Sequence, residues 1–194
     1  MPVEIAPSIT VQRPQRADAR RNFEALLEAG RTAFAENGSD TSLEDIARRA
    51  GVGIGTLYRN FPTRESLVEA LYLEEIASLV RVGEASAALE PWDALSSWLD
   101  RFVQYAATKR ALIEGLNKDS DMFAQCRVVM YAAGEPVLQR AQASGEVRPD
   151  VDISDVVHLV SGIAGVNFTD PAQRERVLKL AIDGLRPEQF RYIR

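Results

Sequence analysis

Apolar residues recur at three- and four-residue spacings along most of this chain, and no stretch alternates apolar with polar residues between hairpin turns. That spacing is the period of a helix, so the sequence predicts an all-α protein with about nine helices. Phe23, Leu26, Leu27, Gly30 and Phe34 share one face of a first helix from Ala17, and Asn37-Gly38 supplies a left-handed stop. Thr41 and Ser42 offer hydroxyl caps to a second, two-turn helix with Leu43, Ile46, Ala47 and Ala50 on its apolar face. Gly51-Val52-Gly53 breaks it, and a third short helix, Ile54 to Phe61, turns Leu57 and Phe61 inward. Pro62 stops that helix, and Thr63 caps the next, which carries Leu67, Val68, Leu71, Ile76, Leu79 and Val80.

The period returns after Pro91 in Leu95, Trp98, Leu99, Phe102, Val103 and Ala106, and more weakly in a short stretch from Ala111 to Leu116. A long helix follows from Asp119 to about Ala143, kinked at Pro136, which lacks a backbone N–H. Asp152 introduces a helix reaching Asn167, and Asp170-Pro171 introduces the last, through Leu185. Residues 1–16, with three prolines and no apolar period, read as a mobile basic arm.

Composition narrows the chemistry. A single cysteine and a single histidine exclude an intrachain disulfide and a zinc site built from Cys and His. Acids fall singly along helix faces, so neither catalytic residues nor a metal or cofactor is expected. Gly51 to Gly55 lacks the G-x-G-x-x-G spacing and the preceding strand of a nucleotide-binding loop. Met1-Pro2-Val3-Glu4-Ile5 has no basic and apolar blocks of a secretory signal, and His158, Ser161 and two glycines interrupt the longest apolar tract. The expectation is a cytoplasmic protein without a membrane partner. His158 reads as a core or interface residue and Cys126 as a buried small hydrophobe.

The formal charge is −5, but it is uneven: residues 1–64 hold nine arginines against eight acids, whereas 65–194 hold fourteen Lys or Arg against twenty acids. Ile46 to Arg64 contains four arginines and no acid, and Arg13 to Arg21 adds four arginines opposed only by Asp18. Two short helices joined by a glycine-containing turn are the layout of a helix-turn-helix, whose second member enters the major groove. With Leu57 and Phe61 inward, Ile54, Gly55, Thr56, Tyr58, Arg59 and Asn60 face out without a carboxylate. Gly55 lets the helix approach the duplex, Thr56 can meet a base edge or a thymine methyl, and Tyr58 and Arg59 can reach phosphate. Thr63 and Arg64 begin the following helix, whose positive end also favours an anion.

Phe34-Ala-Glu-Asn-Gly38, then Thr41 through Leu67 with its Ile-Ala-x-x-Ala-Gly-Val and Gly-Thr-Leu-Tyr-x-x-Phe elements, resembles the DNA-binding domain of TetR-type transcriptional regulators. The likeness spans roughly Arg20 to Leu71. It implies a helix-turn-helix domain at 17–64, a connecting helix at 65–84 and a helical effector-binding and dimerisation domain at 85–194. It also implies double-stranded operator DNA, a second copy of the chain and a small-molecule effector as partners. By motif position the base edges fall to Ile54, Gly55 and Thr56 and phosphates to Tyr58, Arg59 and Arg64; Arg20, Thr41, Ser42, Arg48, Gly53 and Thr63 complete the expected DNA-facing set. Gly53-Ile54 stands where the family often has a serine and a polar or basic residue, so the operator of a relative does not transfer.

For the effector, aromatic and sulfur-containing residues of the C-terminal half are the candidates: Trp98, Phe102, Tyr105, Met122, Phe123, Cys126, Met130 and Tyr131. A dimer face is expected on the last two helices, at Val157, Val160, Ser161, Ala164, Val177, Leu178, Ala181 and Leu185, where small residues allow close approach.

Overall fold

A computed structural model describes residues 11–112 and 121–187. It contains α1 (Ala17–Asn37), α2 (Leu43–Arg49), α3 (Ile54–Asn60), α4 (Arg64–Ala85), α5 (Pro91–Leu112), α6 (Asp121–Ala143), α7 (Ile153–Ala164) and α8 (Pro171–Asp183). Single 3-10 turns lie at Gly38–Asp40 and Ser86–Ala88, and there is no strand among the described residues. The described helices therefore number eight rather than about nine. Ala111 and Leu112 close α5 instead of opening a short helix of their own, and residues 113–116 of that stretch lie outside the described residues.

Two compact units emerge from the contacts. The first holds the described residues as far as Ala77 together with 108–112 and 121–126; the second holds Ser78–Ala107 and the described residues from Arg127 onward.

In the first unit, α1 presents Phe23, Leu26, Leu27, Ala33 and Phe34 to Ile46 and Ala47 of α2, Leu57 of α3, Phe61, and Leu67 and Leu71 of α4, all of them buried. Each such Leu or Phe contributes about 1.5 to 3 kcal/mol when fully buried. Phe23 and Phe61 meet ring to ring, with centroids 4.9 Å apart. Ser42 caps α2 by accepting the Asp45 N–H at 3.0 Å. The turn into α3 needs glycine's conformational freedom once, at Gly51 with φ +68°, whereas Gly53 caps α3 with an ordinary φ of −71°. Val52 lies against the core between them.

In the second unit the indole of Trp98 is fully buried and lies parallel to the Phe102 ring, with centroids 5.6 Å apart. Tyr105 extends the row, 5.6 Å beyond Phe102. Gly134 of α6 makes room for that indole, since a Cβ there would stand 2.6 Å from Trp98 Cη2 and 2.8 Å from Ile153 Cδ1. Trp98 Nε1 is nevertheless buried without a hydrogen-bond partner among the described residues, which costs about 1 to 3 kcal/mol. Arg140 donates to the carbonyls of Ser86, Ala87 and Leu89, closing the turn between α4 and α5. Its α6 runs on through exposed Pro136, whose missing N–H leaves the Ala132 carbonyl without a helical donor.

A reciprocal pair starts α7, Asp152 accepting the Asp155 N–H at 2.9 Å and Asp155 accepting the Asp152 N–H at 3.1 Å. The helix ends at Ala164, capped by Gly165, rather than running to Asn167. α8 then packs against it, after Asp170 has capped the chain with Pro171 in the first turn.

Gly134→Ala is expected to lower stability by about 1 to 3 kcal/mol, because the added methyl meets a fully packed indole and the Ile153 side chain. Urea denaturation followed by far-ultraviolet circular dichroism measures this, and an unchanged midpoint contradicts the packing described.

Candidate nucleic-acid interface

The outer surface of α3 is small, apolar and cationic. Ile54 is 38% and Tyr58 47% exposed; Gly53, Gly55 and Arg59 are exposed, and Thr56 and Asn60 are half-buried. A Cβ built on Gly53 or Gly55 meets nothing within 4 Å, so the start of α3 is open to close approach by another molecule. Arg59 lies back along its own helix, its Nε donating to the Gly55 carbonyl at 3.2 Å and its NH2 to Thr56 Oγ1 at 3.1 Å. Neither partner is anionic, so the full charge of Arg59 is offered to whatever binds this face. Asn60 Nδ2 donates to the Thr56 carbonyl at 2.8 Å and is turned along the helix.

The flanking residues behave differently. Ser42 is engaged in capping α2 but exposed, and Thr63 and Ser66 cap each other's backbone N–H at 3.1 Å before α4. Arg20 is exposed and donates to the Gln15 carbonyl at 3.2 Å. Arg48 is exposed and paired with Asp45, which Arg49 also grips at 2.6 Å while holding Glu36 at 2.6 Å. Burial raises the Asp45 pKa, but the hydrogen bonds from Arg49 and Arg48 outweigh it and hold the carboxyl below its ordinary value.

Three expectations are corrected. Thr41 is only 3% exposed, and its hydroxyl lies within hydrogen-bond distance of the Ala33 and Gly38 carbonyls, so it fastens α1 to α2 and cannot face DNA. Arg64 is half-buried: it donates to the Thr41 carbonyl and, at 2.7 Å, to the Ser39 carbonyl, with its guanidinium 5.0 Å from the centre of the Phe34 ring. Two carbonyls and an aromatic face hold it as a strut for the start of α4 rather than a free phosphate contact. Arg13 is likewise engaged, with Glu24 at 2.6 Å and Glu74 at 2.6 Å, while Val11 packs on the core of the first unit. Residues 11–16 are thereby tied down rather than mobile; residues 1–10 of the expected arm lie outside the described residues.

Sequence reasoning missed the acids behind those pairs. Glu74 and Glu75 are 8% and 4% exposed, held by Arg13 and by Arg31 (3.1 Å) respectively. Their signal was present as two carboxylates inside the apolar run Leu71 to Ile76, a position where an acid has to be paired.

Comparison with known proteins decides the family. Residues 26–71 match the model "Bacterial regulatory proteins, tetR family", and residues 90–187 match "Transcriptional regulator SbtR-like, C-terminal domain". A crystal structure of a TetR transcriptional regulator from Streptomyces coelicolor is 40% identical, with a TM-score of 0.74, covering 85% of this chain and 98% of its own. The chain belongs to the TetR family. A TetR regulatory protein from Mycobacterium vanbaalenii is also similar, 34% identical with a TM-score of 0.70 over 89% of this chain and 99% of that one. The HTH-type transcriptional regulator UidR of Escherichia coli is 27% identical over 71% of this chain and 74% of its own. A Mycobacterium tuberculosis protein named an HTH-type transcriptional repressor is 37% identical over 47% of this chain and 46% of its own. This protein is thus a DNA-binding transcriptional regulator with an N-terminal helix-turn-helix and a helical C-terminal domain.

In this TetR-family regulator the candidate effector residues fall in both units. Trp98, Phe102, Tyr105 and Met130 are buried and Tyr131 is half-buried in the second; Phe123 and Cys126 are buried and Met122 half-buried in the first. A cleft of about 440 Å³ lies elsewhere, between α1 and α2, lined by Ala25, Glu28, Ala29, Thr32, Arg49 and Ala50. Of the residues expected at a dimer face, Val157, Val160, Ala164, Leu178 and Leu185 are buried within their own chain; Ser161 is exposed, and Val177 and Ala181 are half-buried. The apolar residues that face outward on α7, α8 and the turn between them are instead Leu159 (44% exposed), Val166 (52%) and Leu180 (71%). His158 is exposed as well, 3.4 Å from Ser154 Oγ, and so lies outside the core.

Burial pushes the Cys126 thiol up to about 11 against a smaller downward pull from Lys109, so almost no thiolate is present at neutral pH. Native protein is expected to resist iodoacetamide at pH 8 and to react after denaturation; rapid labelling of the native form contradicts this burial. Thr41→Val is expected to cost about 1 kcal/mol of stability through the lost hydroxyl bond, read from the thermal unfolding midpoint.

Proposed function

We propose that this protein is a repressor that binds a palindromic operator as a homodimer and leaves it when a small apolar effector occupies the C-terminal domain. The observation that carries the reading is the carboxylate-free outer surface of α3, fixed in place by Leu57 and Phe61 and bearing Arg59 without an acidic partner. In this reading residues 17–64 bind DNA, 65–84 connect, and 85–194 hold the effector and the partner subunit. Ile54, Gly55 and Thr56 meet base edges, while Tyr58, Arg59, Arg48 and Arg20 meet phosphates. Similarity to a regulator family supports gene control rather than catalysis, and a regulator of DNA works in the cytoplasm of a bacterium. No described helix is long and apolar enough to cross a membrane.

Support for the dimer comes from Leu159 on α7, Val166 just after it and Leu180 on the neighbouring α8, large apolar residues left exposed, with small exposed Ser161 and Gly162 also on α7. A two-fold pair of such faces sets two recognition helices about one turn of DNA apart, ~34 to 36 Å. The buried aromatic row of Trp98, Phe102 and Tyr105 supports an apolar effector.

Selection from a random duplex pool, followed by fluorescence anisotropy across a salt series, tests the reading. Affinity should fall steeply with salt. Arg59→Ala should weaken all sequences alike, and Thr56→Ala should change preference at one base pair by ~1 to 3 kcal/mol. Equal losses on selected and random duplex for both variants would sink the assignment of roles. Leu180→Glu should convert the dimer to monomer by light scattering; an unchanged mass moves the interface elsewhere.

A further inference from the structure

One guanidinium joins the two ends of the helix-turn-helix. Arg64, the first residue of α4, donates to the Thr41 carbonyl and, at 2.7 Å, to the Ser39 carbonyl, and its planar group lies 5.0 Å from the centre of the Phe34 ring. Ser39 and Thr41 belong to the turn that enters α2, whereas Arg64 follows Phe61, Pro62 and Thr63, the chain's exit from α3. The receiving side is itself fixed. Thr41 is 3% exposed with its hydroxyl bonded to α1 and the turn, and Phe34 is buried in the core of the first unit. No carboxylate pairs with Arg64 among the described residues. What holds it is the fit of a forked, flat cation to two carbonyls and a ring, which a point charge on a flexible stem does not reproduce.

We propose that Arg64 sets base specificity without touching DNA, by clasping the exit of α3 to the entry of α2. This rests on the reading of α3 as the helix that meets base edges. Helices α2 and α3 have seven residues each and depend on outside contacts for their direction. Leu57 fixes how α3 is turned about its axis; its far end is held on α1 by the Phe23–Phe61 ring contact and tied to the entry of α2 by Arg64. The groups assigned to base edges are short: Ile54, the bare backbone at Gly55, and Thr56. They cannot reach after a helix that has shifted slightly, whereas the long side chains of Arg59, Arg48 and Arg20 can still follow a phosphate. Loss of the clasp therefore removes sequence reading first and leaves the general attraction to DNA in place.

The deciding variant is Arg64→Lys in the full chain, which keeps the charge and loses the fork and the flat face. Fluorescence anisotropy across a salt series compares an operator selected from a random pool with random duplex. Arg64→Lys should lower operator affinity roughly tenfold while leaving random-duplex affinity and the salt dependence unchanged. Arg59→Ala, the phosphate comparison, should weaken both duplexes and reduce the slope of log affinity against log salt by about one. In the wild-type protein the Nε–H resonance of Arg64, identified by its absence from Arg64→Lys, should keep its position when operator is added while that of Arg59 moves, a readout independent of how the variant folds. Wild-type affinities for Arg64→Lys or movement of the Arg64 resonance overturns the proposal in favour of a phosphate contact; equal losses on both duplexes overturn it in favour of a purely structural role. Thr56→Ala separates the clasp from the reading beneath. Specificity lost with Arg64→Lys but untouched by Thr56→Ala upholds Arg64 and sinks the assignment of base contacts to α3; the reverse upholds α3 and sinks the clasp.

Discussion

The DNA-facing part of this protein depends on how α3 is held. Seven residues are far below the ~12 to 15 at which an isolated helix becomes even marginal in water, so α3 exists because it is packed. Leu57, fully buried, and Phe61, ring to ring with Phe23, supply that packing. They also set the rotation of the helix about its axis. Once Leu57 points at α1, its neighbours Thr56 and Tyr58, each about 100° round the helix, turn away from that core, the first half-buried and the second exposed.

Much of this architecture was legible because it is written locally. The three- and four-residue period marked every described helix, and the caps at Ser42, Asp152 and Asp170 are side chains that bond backbone two or three residues away. What sequence reasoning placed wrongly is non-local. Arg13 finds Glu74 sixty-one residues away, and Arg64 finds a carbonyl twenty-three residues back, pairings that no window of spacing contains. The helix α7 fails for a different reason. Val157 and Val160 lie on its one apolar stripe with Ile153, Val156 and Ala164 and turn inward to the chain's own core, while Leu159, among the polar residues of the opposite side, turns out.

Counting arginines near the N-terminus overstated the charge available to DNA. Arg13, Arg31 and Arg49 are each paired with two acids, and Arg64 is folded onto carbonyls and an aromatic ring. These cations join helices of the first unit: Arg13 and Arg31 bridge α1 and α4, and Arg49 bridges α1 and α2. Glu74 and Glu75 make the arrangement obligatory, because a buried carboxylate left without its arginine is far more costly than the pair is favourable. The same type of residue thus does two jobs, and whether two acids, or carbonyls and a ring, hold it between helices distinguishes them.

That division places a limit on how α3 can discriminate. With several arginines engaged in the fold, on the proposed reading sequence-independent attraction rests on fewer cations, among them Arg59, Arg20 and the singly paired Arg48. The polar amide of Asn60 is turned back to the Thr56 carbonyl, so α3 presents no free side-chain amide for the bidentate contact that singles out adenine. Ile54, the open backbone at Gly53 and Gly55, and the hydroxyl and methyl of Thr56 remain. These groups favour close steric fit and thymine methyl contact over fixed hydrogen-bond patterns, so on the proposed reading specificity comes from how nearly the backbone of α3 can approach the groove. The small side chains at its start are then the means of selection, and a larger residue at Gly55 would weaken binding by distance alone, without removing any contact.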